Sequence, residues 1–432
     1  MPRIAFRTLP ATNWATVPLA WFRVPWAPAA AGSSGTDSRA TSVVTGDWEN
    51  GRGHFFGDKL QCAKCHRIRG EGATVGPDLS NLVHRDATSV LRDIRDPDAT
   101  LHPDHVTYLA VLKNGATVTG FVRSSTDDAV RLTDATGKDT TIPRADLQDL
   151  HPTGRSLMPT GLLNSLKTSE VDDLMTFLLK EPPTRTKAEV EPILKRPTTN
   201  VGGPKLRIVL VASKQDHGPG QHDYPAWQTK WHRLLGTLPD VNIATAWEWP
   251  SAAQFADADV LVFYFWNHDW SAARYAQVDA YQQRGGGVVV LHSATIADTE
   301  PEKLAERIGL SAQPATVKYR HTAFDLHLDP KHPLTRGLPE WLPFLDEPYW
   351  PMIGDPARIT VLATAAMDGA DRPLVWTFQR GQGRVFASIL GHYFWTLDDP
   401  LWRVLCLRGI AWAGGRDADS LTALATVEAA VK

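Results

Sequence analysis

The five residues Cys62-Ala63-Lys64-Cys65-His66 constrain this chain more than any other stretch. The C-x-x-C-H spacing puts two thiols on one helical turn, where they can add to the vinyl groups of a haem while the adjacent imidazole reaches its iron. Zinc sites also use C-x-x-C, but tetrahedral zinc normally takes four nitrogen or sulfur ligands, and no second C-x-x-C exists. The motif predicts one covalent haem c, attached at Cys62 and Cys65 and ligated by His66. Three cysteines are too few for a disulfide scaffold; Cys406, alone in an apolar segment, reads as a buried core thiol.

The surroundings of the motif fit this reading. Gly51 to Leu60, with Phe55 and Phe56, reads as an amphipathic helix, and Gly76-Pro77-Asp78-Leu79 as a rigid turn at the haem edge. Both suit a class I cytochrome fold. A sixth ligand is expected downstream, and Met158 in Ser156-Leu157-Met158-Pro159 is the candidate, because a thioether raises the potential for electron transfer. Met175 lies in a helical pattern, Val171 to Leu179, that suits packing on the haem. Met158 is 92 positions beyond His66, and the excess length falls in Tyr108 to Ile142, where short β-branched runs are joined by Lys113-Asn-Gly115 and Ala135-Thr-Gly137. These are hairpin signals, and they predict a small antiparallel β insertion at about 105–150. With that insertion and its SLMP methionine, the segment from about 47 to 180 resembles the planctomycete-type haem-binding cytochrome c domain. The resemblance implies a mainly α domain with one haem c.

A chain of 432 residues, 43% hydrophobic and 22% charged, exceeds what one core usually organises, so two or three domains are expected. Its net charge of −3, with both signs interspersed, argues against nucleic acid as a partner. No window approaches the roughly 20 apolar residues of a spanning helix, so no transmembrane segment is expected. Residues 1–46 read as a disordered or signal-like segment: Arg3 and Arg7 precede a weakly apolar stretch, which Arg23 and prolines interrupt. Covalent haem attachment requires maturation outside the cytoplasm, so the motif argues for a periplasmic or otherwise exported protein more firmly than this segment does. Residues 181–204, rich in Pro, Thr and Lys, read as a linker. From 205 to 415, β-branched runs alternate with helical patterns, predicting an α/β, doubly wound parallel sheet of flavodoxin-like or amidotransferase-like type. Residues 416–432 are expected to form a C-terminal tail.

Ligands of open α/β sheets bind beyond the carboxyl ends of the strands, and several histidines fall there. His217 and His222 follow the first strand, Asn267-His268-Asp269 a later one, and His292 and His392 two more. Converging with Glu347, such imidazoles can hold a divalent metal or supply acid–base catalysis. The candidate catalytic residues are His222, His292, Glu347 and His392. His332, beside Pro333, reads as a structural turn.

The segment from about 205 to 415 resembles the ThuA-like (trehalose-utilisation) family, a branch of the class I glutamine amidotransferase-like fold. The resemblance rests on Asp216-His217, His222-Asp223-Tyr224, Gly287-Val-Val-Val-Leu-His292, His332-Pro333, Asp346-Glu347-Pro-Tyr349 and Gly391-His392. It implies a role in carbohydrate metabolism. Amidotransferases of this fold place a cysteine nucleophile where His292 stands, so thiol chemistry is not expected. Trp270, Tyr349, Trp350 and Trp395 adjoin the site and either stack on a sugar or fill the core. Two readings result. In one, the domain acts on a keto-sugar or glycoside by hydrolase- or isomerase-type chemistry while the cytochrome passes electrons to or from a redox partner such as a sugar dehydrogenase. In the other, it is a non-catalytic carbohydrate-binding or docking module.

Overall fold

A computed structural model describes residues 45–99, 101, 105–194, 204–218 and 220–431. Except for its last two positions, the signal-like segment 1–46 lies outside the described residues.

The amino-terminal half contains helices α1 (Trp48–Phe56), α2 (Ala87–Arg95) and α3 (Thr168–Leu179) and seven strands. β1 (Arg67–Ile68) and β2 (Glu71–Gly72) form a short antiparallel pair. β3 (Thr107–Leu112), β4 (Thr117–Ser125), β5 (Ala129–Thr133), β6 (Asp139–Pro143) and β7 (Leu147–Pro152) form an antiparallel sheet in the order β6-β5-β4-β3-β7. The half is therefore mixed, and the mainly α expectation does not hold. The sheet has its own core of Ala110, Val130, Leu132 and Ile142, so it is a packed layer in its own right. Gly115 and Gly137 close its hairpins with φ of 84° and 81°, a conformation glycine adopts freely.

The helices pack around Trp48, Phe55, Leu174 and Phe177. Asp47 caps α1 by accepting from the backbone N–H of Asn50. Gly51 lets α1 cross α3: a Cβ there would lie 2.0 Å from the carbonyl oxygen of Asp173.

The described first part of the predicted linker packs against the second half rather than hanging free. α4 (Lys187–Leu194) buries Val190 and Ile193 in the core of the second half, and Arg185 pairs with buried Asp399 at 2.7 Å. The polar composition hid two apolar residues at helical spacing; residues 195–203 lie outside the described residues. Nor is the C-terminus a free tail. Leu421 and Leu424 are buried, and Asp419 receives Arg408 and Arg336 at 2.7 and 2.9 Å.

The second half is built on nine strands: β8 (Leu206–Ala212), β9 (Val241–Trp247), β10 (Val260–Phe263), β11 (Gly287–Leu291), then, past the two-residue β12 (Lys318–Tyr319), β13 (Thr322–Leu328) and β14 (Trp341–Asp346). β15 (Tyr349–Trp350) pairs with β12, and β16 (Thr360–Met367), β17 (Ala370–Arg380) and β18 (Gly383–Ser388) complete the sheet. Its order is β14-β13-β16-β17-β18-β11-β10-β8-β9. The run β18-β11-β10-β8-β9 is parallel and the rest antiparallel, so the sheet is mixed where a parallel one was expected. Connection length explains this. Helices α5 (Tyr224–Leu235), α6 (Ala252–Asp257) and α7 (Ala272–Gln283) supply the crossovers parallel strands need, whereas Asp368-Gly369 is a two-residue turn that permits only an antiparallel hairpin. α8 (Pro301–Ile308), α9 (Phe394–Asp398) and α10 (Pro400–Ala413) complete the half, and Cys406 is fully buried in α10.

Candidate functional site

Two sites stand out. The first is a cavity of about 500 Å³ in the amino-terminal half, lined by Cys62, Cys65, His66, Met158 and apolar side chains including Phe55 and Leu178. The residues fit a haem. His66 Nδ1 lies 2.9 Å from the carbonyl oxygen of Pro77, which can only accept, so Nδ1 carries the proton and Nε2 keeps its lone pair for iron. Burial lowers the His66 pKa and favours that neutral form. Gly76 cradles the ring: a Cβ there would sit 2.8 Å from His66 Cε1. The β sheet backs this loop, since Arg123 donates to the carbonyl of Val75 at 2.7 Å. Met158 lines the same cavity, whereas Met175 is buried on α3. When bound, a haem supplies one-electron chemistry; the chain's part is to fix its ligands and exclude water.

The second site lies beyond the strand ends of the α/β half. His292 follows β11 at a strand-to-turn elbow with φ of 50°, His222 follows β8 with φ of 44°, Glu347 follows β14, and His392 follows β18. Left-handed backbone at non-glycine residues is strained and persists only where its surroundings hold it. Buried Asp346 holds two of these segments, accepting from the backbone N–H groups of Glu347, Gly391 and His392 at 2.9, 2.8 and 3.1 Å. The backbone N–H of His222 donates to the carbonyl of His392 at 2.9 Å. The four predicted site residues thus meet, all buried, their candidate ligand atoms within 4.8 Å of one another.

Their outer contacts fix the tautomers. His292 Nδ1 donates to the carbonyl of Ile389 at 2.6 Å, His222 Nδ1 to Asp216 Oδ1 at 2.7 Å, and His392 Nε2 to Gln221 Oε1 at 3.3 Å. That leaves His292 Nε2, His222 Nε2 and His392 Nδ1 as lone-pair nitrogens pointing inward. His292 Nε2 is 2.9 Å from His222 Nε2 and 3.2 Å from His392 Nδ1, and Glu347 Oε2 lies 3.3 and 2.9 Å from the His292 and His392 nitrogens. Burial drives the His222 pKa down to about 4 and that of His392 to about 3. Burial opposes ionisation of Glu347, but the facing histidines outweigh it and hold its pKa well below the usual carboxylate range. These directions conflict if the imidazoles must be charged to hold the carboxylate. We favour neutral imidazoles around an anionic Glu347, because burying several cations here costs far more. Lone pairs and an anion facing one another at these distances suit a cation between them. Metal–nitrogen bonds of about 2.0–2.1 Å in a tetrahedron separate the nitrogens by roughly 3.3 Å.

The other residues singled out from the sequence divide between this cluster or its rim and positions away from it. His217 is half-exposed beside the cluster, its ring 3.9 Å from that of His222, and its bond to Asp216 raises its pKa. His268 pairs with Asp298 and stands apart. His332 accepts from the backbone of Leu334, a turn role. Tyr349 belongs to the cluster itself: its Oη lies 2.8 Å from His292 Nε2 and donates to Glu347 Oε2 at 3.1 Å. Trp270 stacks on Tyr275, Trp350 is buried, and Trp395 donates to the carbonyl of Leu345; exposed aromatics near the site include Phe394 and Tyr319. Sequence reasoning missed Glu49, Gln221 and His321. His321 Nε2 lies 3.4 Å from Glu347 Oε1, and Glu49 of α1 accepts from Gln221 and Tyr393 at 3.1 Å each.

Comparison with known families fits both halves. The cytochrome c model matches residues 49–111, and the trehalose-utilisation (ThuA) model matches residues 208–413. This chain joins a cytochrome c domain to a ThuA domain. Among solved structures, a ThuA-like protein of Parabacteroides merdae shares 23% identity over 49% of this chain and 91% of its own, with a TM-score of 0.41. A ThuA-like protein of Bacteroides uniformis shares 14% over 52% and 99%, with a TM-score of 0.40. No curated protein matches the chain. No described helix is long and apolar enough to cross a membrane.

Proposed function

We propose that the protein is an exported haem c electron carrier whose ThuA domain holds a divalent metal ion and acts on a carbohydrate, a keto-sugar or a glycoside. Cys62 and Cys65 would form the thioether links, and His66 and Met158 would ligate the haem iron. The observation that carries the metal reading is the set of three buried imidazoles with outward nitrogens tied as donors and inward lone pairs facing Glu347. A mixed nitrogen and oxygen set suits a first-row divalent ion. Such an ion polarises a carbonyl oxygen or lowers the pKa of a bound water, and half-exposed His217, backed by Asp216, is placed to move the proton.

Metal analysis of the full-length protein, paired with turnover of a 3-keto-sugar, tests this. His292→Ala and Glu347→Gln should each lose the ion and the turnover while leaving the haem spectrum unchanged. Turnover surviving in either variant sinks the catalytic assignment. The burial of the ligand set favours a second reading, a docking module in which the ion is structural; sugar binding without turnover would support it.

A further inference from the structure

The haem pocket and the histidine cluster are joined by an unbroken run of aromatic side chains. Phe55 lines the haem cavity, and its ring centroid lies 5.4 Å from that of Phe177. Phe177 is 5.0 Å from Trp48, Trp48 is 5.8 Å from Trp395, and Trp395 stacks on Tyr393 at 4.0 Å. Tyr393 then meets the ring of His392, an inward-facing member of the cluster, at 4.5 Å. Trp48 and Tyr393 also touch directly, at 6.4 Å. The junction is fixed by hydrogen bonds: the backbone N–H of Trp48 donates to the carbonyl of His321, and Tyr393 Oη is bonded to Glu49 and His321 Nδ1 at 3.1 and 2.9 Å.

We propose that Trp48, Trp395 and Tyr393 form an internal electron bridge, so that a redox-active ion of the iron class at the histidine cluster is oxidised by the haem of the same chain. This rests on the metal reading above. Tunnelling falls off exponentially with gap width, so rings in van der Waals contact conduct where a solvent gap does not. The direction follows from the ligands. Methionine ligation raises the potential of a haem, whereas the anionic Glu347 favours the higher charge on a neighbouring ion. One electron moves per event: iron(II) at the cluster becomes iron(III), haem iron(III) becomes iron(II), and no atom is transferred. The rings serve as a bridge without being oxidised themselves. The Arg69 guanidinium lies 5.0 Å from the Phe177 ring and 5.9 Å from that of Trp48, and a fixed cation there disfavours a positive charge on either ring.

The test uses the full-length protein with ferric haem, loaded anaerobically with iron(II), while haem absorbance is followed by stopped flow and bound iron by metal analysis. One haem should be reduced per iron bound, at a rate independent of protein concentration. His292→Ala, which removes a ligand, sets the background from free iron(II). Trp48→Leu should bind iron as before but reduce haem at least about tenfold more slowly, and Trp395→Phe serves if Trp48→Leu fails to fold. Iron bound with haem still ferric, or wild-type rates in the tryptophan variant, overturns the bridge and leaves the metal centre standing. Absence of bound iron overturns the iron assignment and the bridge with it, and the metal reading itself falls only if the metal analysis finds no divalent ion at all.

Discussion

The two halves build their sites by opposite means. The cytochrome c domain places three of its four proposed haem-binding residues, Cys62, Cys65 and His66, within five consecutive residues, around a cavity of about 500 Å³. The ThuA domain gathers His222, His292, Glu347 and His392 from four separate strand ends, and packs fully buried residues of β8, β10 and β11 beneath them. A local motif around a hollow core needs its cofactor to be a fold. A site assembled from distant segments on a filled core is held by the fold already.

The largest test of this contrast is to produce the chain without haem. At about 24 cal/mol per Å³, an unfilled cavity of about 500 Å³ would cost roughly 12 kcal/mol, comparable to the whole stability of a domain. The haem-free protein should lose the near-ultraviolet circular dichroism and protease resistance of residues 47–180 while the ThuA domain keeps a cooperative thermal transition. An intact cytochrome half without haem would break the comparison.

Next in size is Asp346→Ala. It strips the acceptor from three buried backbone N–H groups and should cost roughly 3 to 5 kcal/mol, confined to the ThuA transition in calorimetry. Because Asp346 positions Glu347 and His392, metal affinity should fall too, although Asp346 is not itself one of the converging groups. Unchanged metal affinity would mean that the strand ends hold the cluster without it.

The effect of pH is smaller and separates the halves again. In the metal-free ThuA domain His222 and His392 titrate at about 4 and about 3, against 6.5 in an unfolded chain. Between those values the unfolded chain binds protons that the folded one refuses, so stability rises with pH there. Denaturant midpoints of the ThuA transition should therefore fall as pH drops from 6.5 toward 4, whereas His217, whose pKa is raised by Asp216, adds a smaller loss as pH rises above 6.5. His222→Gln should flatten part of that fall.

What could be read in the sequence follows the same division. The C-x-x-C-H motif is contiguous, and its chemistry needs no fold to be recognised. The histidines of the second site were legible because each follows a run of β-branched residues, and strand ends are where α/β sheets bind ligands. Glu49, Gln221 and His321 carried no such signal. Glu49 belongs to a helix of the other half, and only the docking of α1 brings it to Tyr393. The mixed sheet had a signal in Asp368-Gly369, a two-residue turn, but the preceding alternation of strands and helices outweighed it. Val190 and Ile193 were masked by the prolines, threonines and lysines around them.

The smallest expected effect bears on where the two halves stop being separate. Asp47 caps α1 through Oδ1, and its Oδ2 accepts from the backbone N–H of His321 at 3.0 Å, while the N–H of Trp48 donates to the carbonyl of His321 at 2.6 Å. One carboxylate thus serves a helix of the cytochrome half and a loop beside Glu347. Replacing an N-cap aspartate by alanine costs about 1 kcal/mol in an isolated helix. Ser251, which caps α6 by accepting from Gln254, provides a control of similar size wholly inside the ThuA domain. Ser251→Ala should shift only the ThuA transition. Asp47→Ala should shift both, and by more than its cap alone accounts for, because the loop carrying His321 loses its anchor. If Asp47→Ala lowers only the cytochrome transition, α1 is merely resting against the ThuA domain, and the contacts of Glu49 and Trp48 with Tyr393 lose their significance as a coupling between the two sites.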